Sequence, residues 1–166
     1  TVVQPDGKIL VGGYSDSGGS DDFSVARYNA DGTLDTNFGG GDGFALAGIA
    51  GRAEAMVLQA DGKVVLSGYT TTGGYQVCLV RFNADGTLDT SFGGGDGVAS
   101  SGAYGSAKDV VVQTDGKFLV AADLSNSNFN LMRFNSNGAL DTSFGGGSGY
   151  VSTDLVGGND RADSLT

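Results

Sequence analysis

The chain has no histidine, which removes the most common general base and the most common metal ligand of proteins. A Ser-His-Asp or Cys-His arrangement therefore cannot form from its own residues. Cysteine is nearly absent as well, because Cys78 is alone and no disulfide can form within the chain. The positions one repeat away hold Ser24 and Asn130, which favours a passive thiol over a reactive one. We expect no catalytic residues and no enzyme activity.

Long apolar runs and an excess of basic residues are also missing. The apolar runs are short, as in Val77-Cys78-Leu79-Val80, whereas a membrane-spanning helix needs roughly 20 such residues. Nine basic residues face nineteen acidic ones, and the net charge of −10 repels nucleic-acid backbones. The opening Thr1-Val2-Val3 lacks the segments of a signal peptide, so we expect a start that was processed or cut. Membrane insertion and nucleic-acid binding are not expected.

What the sequence contains is repetition. The segment Gln4-Pro5-Asp6-Gly7-Lys8 returns about every 54 residues, at 59–63 and at 113–117. A longer motif that begins at Arg27 returns from Arg81 and from Arg133. A fixed period of this length is typical of stacked supersecondary units.

We therefore interpret the chain as a single repeat domain over 1–166. Its units span approximately 1–51, 52–105 and 106–160. Residues 161–166 open a further unit, because Arg161–Leu165 resembles Arg52–Met56.

In the second unit, the apolar runs bounded by Gly, Asn and Asp predict four antiparallel strands, at about 55–59, 63–69, 75–82 and 98–101. The first two are joined by an Asp-Gly turn, which supplies the positive backbone angles that a tight hairpin requires. The third strand is apolar on both faces and should lie between two neighbouring sheets. Four such strands per unit are typical of a β-propeller blade, so we predict an all-β chain of three four-stranded blades, half or part of a closed propeller.

The two motifs, Gln-x-Asp-Gly-Lys and Arg-Phe-Asn-x-Asp-Gly-x-Leu-Asp-Thr-Ser-Phe-Gly, together with the period, resemble the delta-sixty repeat family. The resemblance covers the whole chain. It implies β-propeller-type repeats of large bacterial secreted or surface proteins, hence an extracellular or cell-envelope location. It implies no activity, because none is established for that family.

Within the long motif, an arginine on an apolar strand is followed eight residues later by an aspartate in every copy. We predict a structural clamp that folds the long turn back onto the strand, and the alternative is an anion site. A leucine and a phenylalanine of the same turn should plug it into the core. The clamp pairs are Arg27 with Asp35, Arg81 with Asp89, and Arg133 with Asp141; the plugs are Leu34, Phe38, Leu88, Phe92, Leu140 and Phe144.

Two ligand classes remain open at this stage. Acidic turns suggest calcium, but Asp31 and Asp85 become Asn137, and Asp42 and Asp96 become Ser148, so we expect neither a metal site nor a cofactor. Exposed tyrosines suit sugar rings, although ordinary packing explains them too. The tyrosines concerned are Tyr14, Tyr69, Tyr75 and Tyr104.

Three blades are too few to close a ring. We expect the outer blades to pair through their faces with further copies of the chain or with further repeats. Val64, Leu66, Val77, Leu79 and Val80 should lie between blades, while Leu10, Val25, Val120 and Leu131 in the outer blades should have a neighbour on one side only. The predicted function is a non-catalytic structural or interaction module, and the alternative is a glycan- or calcium-binding propeller module.

Overall fold

The computed structural model describes residues 1–16 and 19–166, and these form an all-β structure. The described part contains no helix other than a 3-10 turn at Gly145–Gly147. The ten strands are β1 Val2–Val3, β2 Ile9–Asp16, β3 Asp21–Tyr28, β4 Phe44–Leu58, β5 Val64–Thr70, β6 Gln76–Phe82, β7 Val98–Val112, β8 Phe118–Leu124, β9 Phe129–Phe134 and β10 Tyr150–Thr153. The all-β prediction is confirmed.

Each strand pairs antiparallel with the next strand in the chain. β4 pairs with β3 through its first half and with β5 through its second half, and the change of partner falls between Ala50 and Gly51. β7 changes partner from β6 to β8 between Tyr104 and Gly105. Three four-stranded sheets result. We call them unit 1 (β1 to the first half of β4), unit 2 (the second half of β4 to the first half of β7) and unit 3 (the second half of β7 to β10).

The 15-residue strands β4 and β7 differ from the sequence prediction, which had a short fourth strand end before the next unit began. Glycine explains the difference. Gly48 and Gly102 have φ of +71° and +74° and lie where the pairing register shifts, so each strand bends there at a bulge and continues as one strand. The bend in β4 is held by Asp22, whose carboxylate accepts hydrogen bonds from the amides of Gly48 (3.0 Å) and Ile49 (3.1 Å).

Two apolar layers hold the three sheets together. Alternate residues of β5 and β6 point to opposite sides. Leu66 and Val80 join the layer between units 1 and 2, whereas Val65 and Leu79 join the layer between units 2 and 3. The sheet of unit 2 is therefore buried on both faces, as its apolar third strand predicts.

On the outermost faces, the structure corrects part of the prediction about which residues lack a neighbouring unit. Leu10, Val25 and Val120 point inward to unit 2 and are buried, because alternation places their neighbours on the outside instead. Of the four predicted residues only Leu131 lies outside these layers. The exposed apolar residues are Val11, Phe44 and Leu46, which define the open face of unit 1, and Phe129 and Val151, which with Leu131 define the open face of unit 3.

Candidate functional site: the repeated arginine turn

A long turn follows β3, β6 and β9, and it has the same backbone in all three units. In unit 1, the amide of Asn29 donates to the carbonyl of Thr33 (2.8 Å) around Gly32, whose φ is +84°. The amide of Asp35 then donates to the carbonyl of Arg27 (2.9 Å). The turn thereby returns the aspartate to the side of the arginine that precedes it by eight residues.

The structure brings each arginine and its aspartate together. The Nε–Oδ2 distances are 2.7 Å for Arg27–Asp35, 2.8 Å for Arg81–Asp89 and 2.8 Å for Arg133–Asp141. Each aspartate is almost fully buried, with 2 to 5% of its surface exposed. A carboxylate in such a place needs a cationic or hydrogen-bonding partner.

A lysine that the sequence analysis did not single out completes each site. Lys8 Nζ lies 2.6 Å from Asp35 Oδ2. The corresponding distances are 2.7 Å for Lys63–Asp89 and 2.8 Å for Lys117–Asp141. The signal was present, because each lysine ends the repeated segment Gln-x-Asp-Gly-Lys, but only the tertiary structure brings that hairpin against the long turn.

These contacts keep the three carboxyl groups ionised. The Lys8 ammonium holds the pKa of Asp35 well below its usual range, and Lys117 does the same for Asp141. Burial raises the pKa of Asp89, but the hydrogen bonds from Lys63 and Ser91 outweigh it, so its pKa is also lowered. Each cluster has one carboxylate for two cations.

The guanidinium of each arginine also stacks on the phenylalanine of its own turn. The Cζ-to-ring-centroid distances are 4.5 Å for Arg27 on Phe38, 4.4 Å for Arg81 on Phe92 and 4.6 Å for Arg133 on Phe144. These lie within the range of a cation–π contact. The arginine is thus fixed on one side by the ring and on the other by the carboxylate.

The same arginine reaches into the following unit. Arg27 Nη1 donates to the carbonyl of Ala84 (2.8 Å), and Arg81 Nη1 donates to that of Ser136 (2.9 Å). A backbone hydrogen bond lies beside each contact. The amide of Gly39 donates to the carbonyl of Asp85 (2.9 Å), and the amide of Gly93 donates to that of Asn137 (2.8 Å). The turn therefore joins neighbouring units as well as closing on its own strand. Because Nε and Nη1 of Arg27 and of Arg81 are engaged in these contacts, the arginine turns of units 1 and 2 have the geometry of structural contacts.

The predicted plugs separate into three groups by burial. Phe38 and Phe92 are completely buried, and Phe144, Leu88 and Leu140 are partly buried. Leu34 is 42% exposed, so the prediction that it enters the core is wrong. Leu88 packs on the layer between units 1 and 2, and Leu140 on the layer between units 2 and 3. Leu34 has no such layer, because unit 1 has no described unit before it.

The acidic turn residues serve the turns themselves. Asp31 and Asp85 accept hydrogen bonds from the hydroxyls of Thr33 (2.6 Å) and Thr87 (2.7 Å), and these bonds lower their pKa values. Asn137 takes over the turn role by accepting from the amide of Ala139 (3.0 Å). Over residues 1–16 and 19–166, no group of three or more acidic or cysteine side chains lies close enough to hold a metal ion.

The four tyrosines lie at the loop ends of the units. Tyr69 and Tyr75 pack with ring centroids 4.4 Å apart, and Tyr14 lies 4.2 Å from the guanidinium carbon of Arg52. Tyr104 is 60% exposed. A groove of about 350 Å³ is lined by Tyr75, Tyr104, Gly105, Asp123, Leu124 and Ser125. Two of the four predicted rings therefore share one groove.

Cys78 is fully buried in β6, and burial raises the pKa of its thiol to about 12. A protonated, inaccessible thiol is a poor nucleophile. In the part of the chain that the structure describes, no helix is long and apolar enough to cross a membrane.

Three four-stranded antiparallel sheets stacked face to face, each joined to the next by a shared strand, define β-propeller blades. The chain belongs to the family described as "Domain of unknown function (DUF5122) beta-propeller", which matches it over residues 4–38, 59–92 and 113–144. The matched segments begin at the Gln-x-Asp-Gly-Lys hairpins and end at the phenylalanines of the arginine turns. No curated protein matches the chain.

Proposed function

We propose that the chain is a non-catalytic structural or interaction module, a set of propeller blades that assembles through its open faces. The contact partners are further copies of the chain or further repeats, rather than nucleic acid. The repeat motifs also resemble delta-sixty repeats, and the proposal therefore includes a bacterial extracellular or cell-envelope setting.

The observation that supports this proposal is that the repeated residues serve structural contacts while the outer faces keep apolar residues exposed. Every repeat uses its Arg-Asp-Lys cluster and its phenylalanine for contacts within the turn, and in units 1 and 2 the arginine also contacts the next unit. The faces beyond these contacts still expose Val11, Phe44 and Leu46 on one side and Phe129 and Val151 on the other. Large apolar groups gathered on a face are typical of a surface that another protein covers.

The test is the mass of the purified chain in solution. Sedimentation equilibrium from micromolar to millimolar concentration should show species heavier than the 16.6 kDa chain. A stable, folded monomer over the whole range would contradict assembly of this chain.

A second candidate function is glycan binding in the tyrosine groove. Tyr75 and Tyr104 present exposed ring surface to one cavity beside Asp123. Exposed aromatic rings and a neighbouring carboxylate are groups that bind the faces and hydroxyls of sugars. A glycan array followed by calorimetry should show binding that Tyr104→Ala removes and that Tyr28→Phe, a change at the end of β3 in unit 1, leaves intact. An array without any binding glycan would end this candidate.

A further inference from the structure

The contacts between consecutive units have a donor side and an acceptor side. The donor side is an arginine Nη1, a phenylalanine ring and a glycine amide, as in Arg27, Phe38 and Gly39 of unit 1. The acceptor side is the Asx-turn of the next unit, as in Ala84, Asp85 and Gly86 of unit 2. We call this set of contacts the latch.

The latch fits closely only because its acceptor turn ends in glycine. A Cβ atom on Gly86 would lie 2.7 Å from the amide nitrogen of Gly39 and 2.9 Å from the Phe38 ring. A Cβ atom on Gly138 would lie 2.9 Å from the amide nitrogen of Gly93 and from the Phe92 ring. Any side chain at this position would push neighbouring units apart.

Within the described residues, units 1 and 3 each carry one half of a latch that contacts no matching half. In unit 3 the donor side is Arg133, Phe144 and Gly145. Arg133 contacts Asp141 and the hydroxyl of Ser143 (3.4 Å) but, within the described residues, no carbonyl of another unit. In unit 1 the acceptor side is Ala30, Asp31 and Gly32, and a Cβ atom on Gly32 would meet nothing within 4 Å.

Resting on the proposed function, we propose that the donor half of unit 3 engages the acceptor half of unit 1 in a second copy of the chain. Arg133 Nη1 donates to the carbonyl of Ala30, the amide of Gly145 donates to the carbonyl of Asp31, and the Phe144 ring covers Gly32. Two copies joined in this way at both ends form a closed ring of six units, within the usual range of about 4–8 blades.

The partner is a second copy because the two halves match group for group. The donor residues of unit 3 are the same types as those that bind within the chain at units 1 and 2. The acceptor turn of unit 1, Ala30-Asp31-Gly32, is identical in sequence to the turn Ala84-Asp85-Gly86, which already accepts a latch. The latch also brings the open face of unit 3 against the open face of unit 1, so the exposed apolar residues are covered by the same contact.

The experiment compares variants by sedimentation equilibrium, with circular dichroism as the check on folding. Gly32→Asn places a side chain where the latch needs none, and asparagine tolerates the positive φ of this turn. Its control is Gly73→Asn, since Gly73 also has a positive φ (+77°) and open space around it but lies in a loop of unit 2 outside the latch. We expect Gly32→Asn to be monomeric at concentrations where the original chain and Gly73→Asn are dimers.

A second variant tests the donor. Arg133→Gln should raise the dimer dissociation constant by about 10- to 100-fold for each of the two latches, because each latch loses a hydrogen bond from a charged group. Its control is Arg27→Gln, which breaks a latch inside the chain and should lower the melting temperature while changing the dissociation constant much less.

The outcomes separate the two proposals. An original chain that stays monomeric contradicts assembly itself. An original chain that dimerises while Gly32→Asn and Arg133→Gln dimerise as well as their controls contradicts only the latch. A mass that keeps growing beyond two copies contradicts the closed ring.

Discussion

At the scale of single residues, the buried aspartate of each arginine turn determines how firmly the turn is held. Asp89 accepts hydrogen bonds from Arg81 and Lys63 through one oxygen and from Ser91 through the other. All three units repeat the arginine and lysine contacts. This one carboxylate therefore holds two cations that converge on it.

Asp89→Asn should lower the free energy of unfolding by about 3 kcal/mol, because removing one partner of a buried ion pair leaves the other uncompensated. Urea unfolding followed by circular dichroism measures the change. Asp61→Asn is the matched control, since Asp61 accepts from the amide of Lys63 (3.2 Å) in an exposed turn that asparagine can also form. Equal stabilities of the two variants would show that the buried charge does not hold the turn.

The pH dependence of stability follows from the same three carboxyl groups. Their pKa values are lower in the folded chain than in the unfolded chain, so they stabilise the fold above the unfolded pKa of about 4. The melting temperature should be level between pH 7 and pH 5 and should fall as the pH drops below about 4. The chain has no histidine to titrate in between. A marked loss of stability between pH 7 and pH 5 would contradict this account.

The reactivity of the Cys78 thiol should measure how often the sheet opens, because the thiol is buried in the native chain. It lies fully buried between units 1 and 2, and burial raises its pKa. A thiol reagent should label it only when the structure opens, and the labelling rate should rise steeply with urea. Immediate labelling of the native chain would show that this layer is accessible.

At the scale of elements, the shared strands β4 and β7 are the main departure from simple repetition. The first half of each strand pairs in one sheet and the second half in the next sheet, so neighbouring sheets are joined by a continuous strand. Gly51 lies at the change of partner in β4. A Cβ atom there would be 2.2 Å from the carbonyl oxygen of Tyr69 and 2.7 Å from the Phe23 ring.

Gly51→Ala should therefore destabilise the chain by about 1–3 kcal/mol, the range for overpacking a close contact. Thermal and urea unfolding measure it. Gly94→Ala is the control, because Gly94 has open space around it and its φ is not positive. If both variants unfold like the original chain, the close approach at β4 is not required.

At the scale of the whole molecule, the proposed assembly depends on the open faces of units 1 and 3. Leu131→Asp places a charge on the open face of unit 3, beside Val151 in the sheet. We expect it to shift the chain toward monomer or aggregate and to lower the melting temperature of the assembled form. Light scattering after gel filtration measures the mass. The control Thr72→Asp adds the same charge in an exposed loop of unit 2, and an equal response of the two variants would contradict assembly through this face.

Much of this architecture could be read from the sequence because its signals are local. The Asp-Gly turns predict the positions of the hairpins. In unit 2, for example, the amide of Gln59 donates a hydrogen bond to the carbonyl of Lys63 across the turn. Burial on both faces of β6 follows from its unbroken apolar run. The eight-residue spacing of arginine and aspartate pointed to a paired site, and those side chains lie together in all three units.

Other features depend on contacts between distant residues. Lys63 joins Asp89, and Arg81 reaches Ser136, only after strands and sheets have been stacked. The joining of two predicted strands into β4 depends on a bend at Gly48 that no local pattern distinguishes from a turn.

By itself, the sequence determined the repeat, the all-β class and the turns, because backbone propensity and apolar alternation act over a few residues. The tertiary structure decided which face of each strand is covered. It shows Leu10 and Val120 buried, Leu34 exposed, and the arginine turns as contacts between units as well as within them. The physical reason is that burial and ion pairing are properties of neighbouring sheets, and an identical motif has a different environment in the first, middle and last unit.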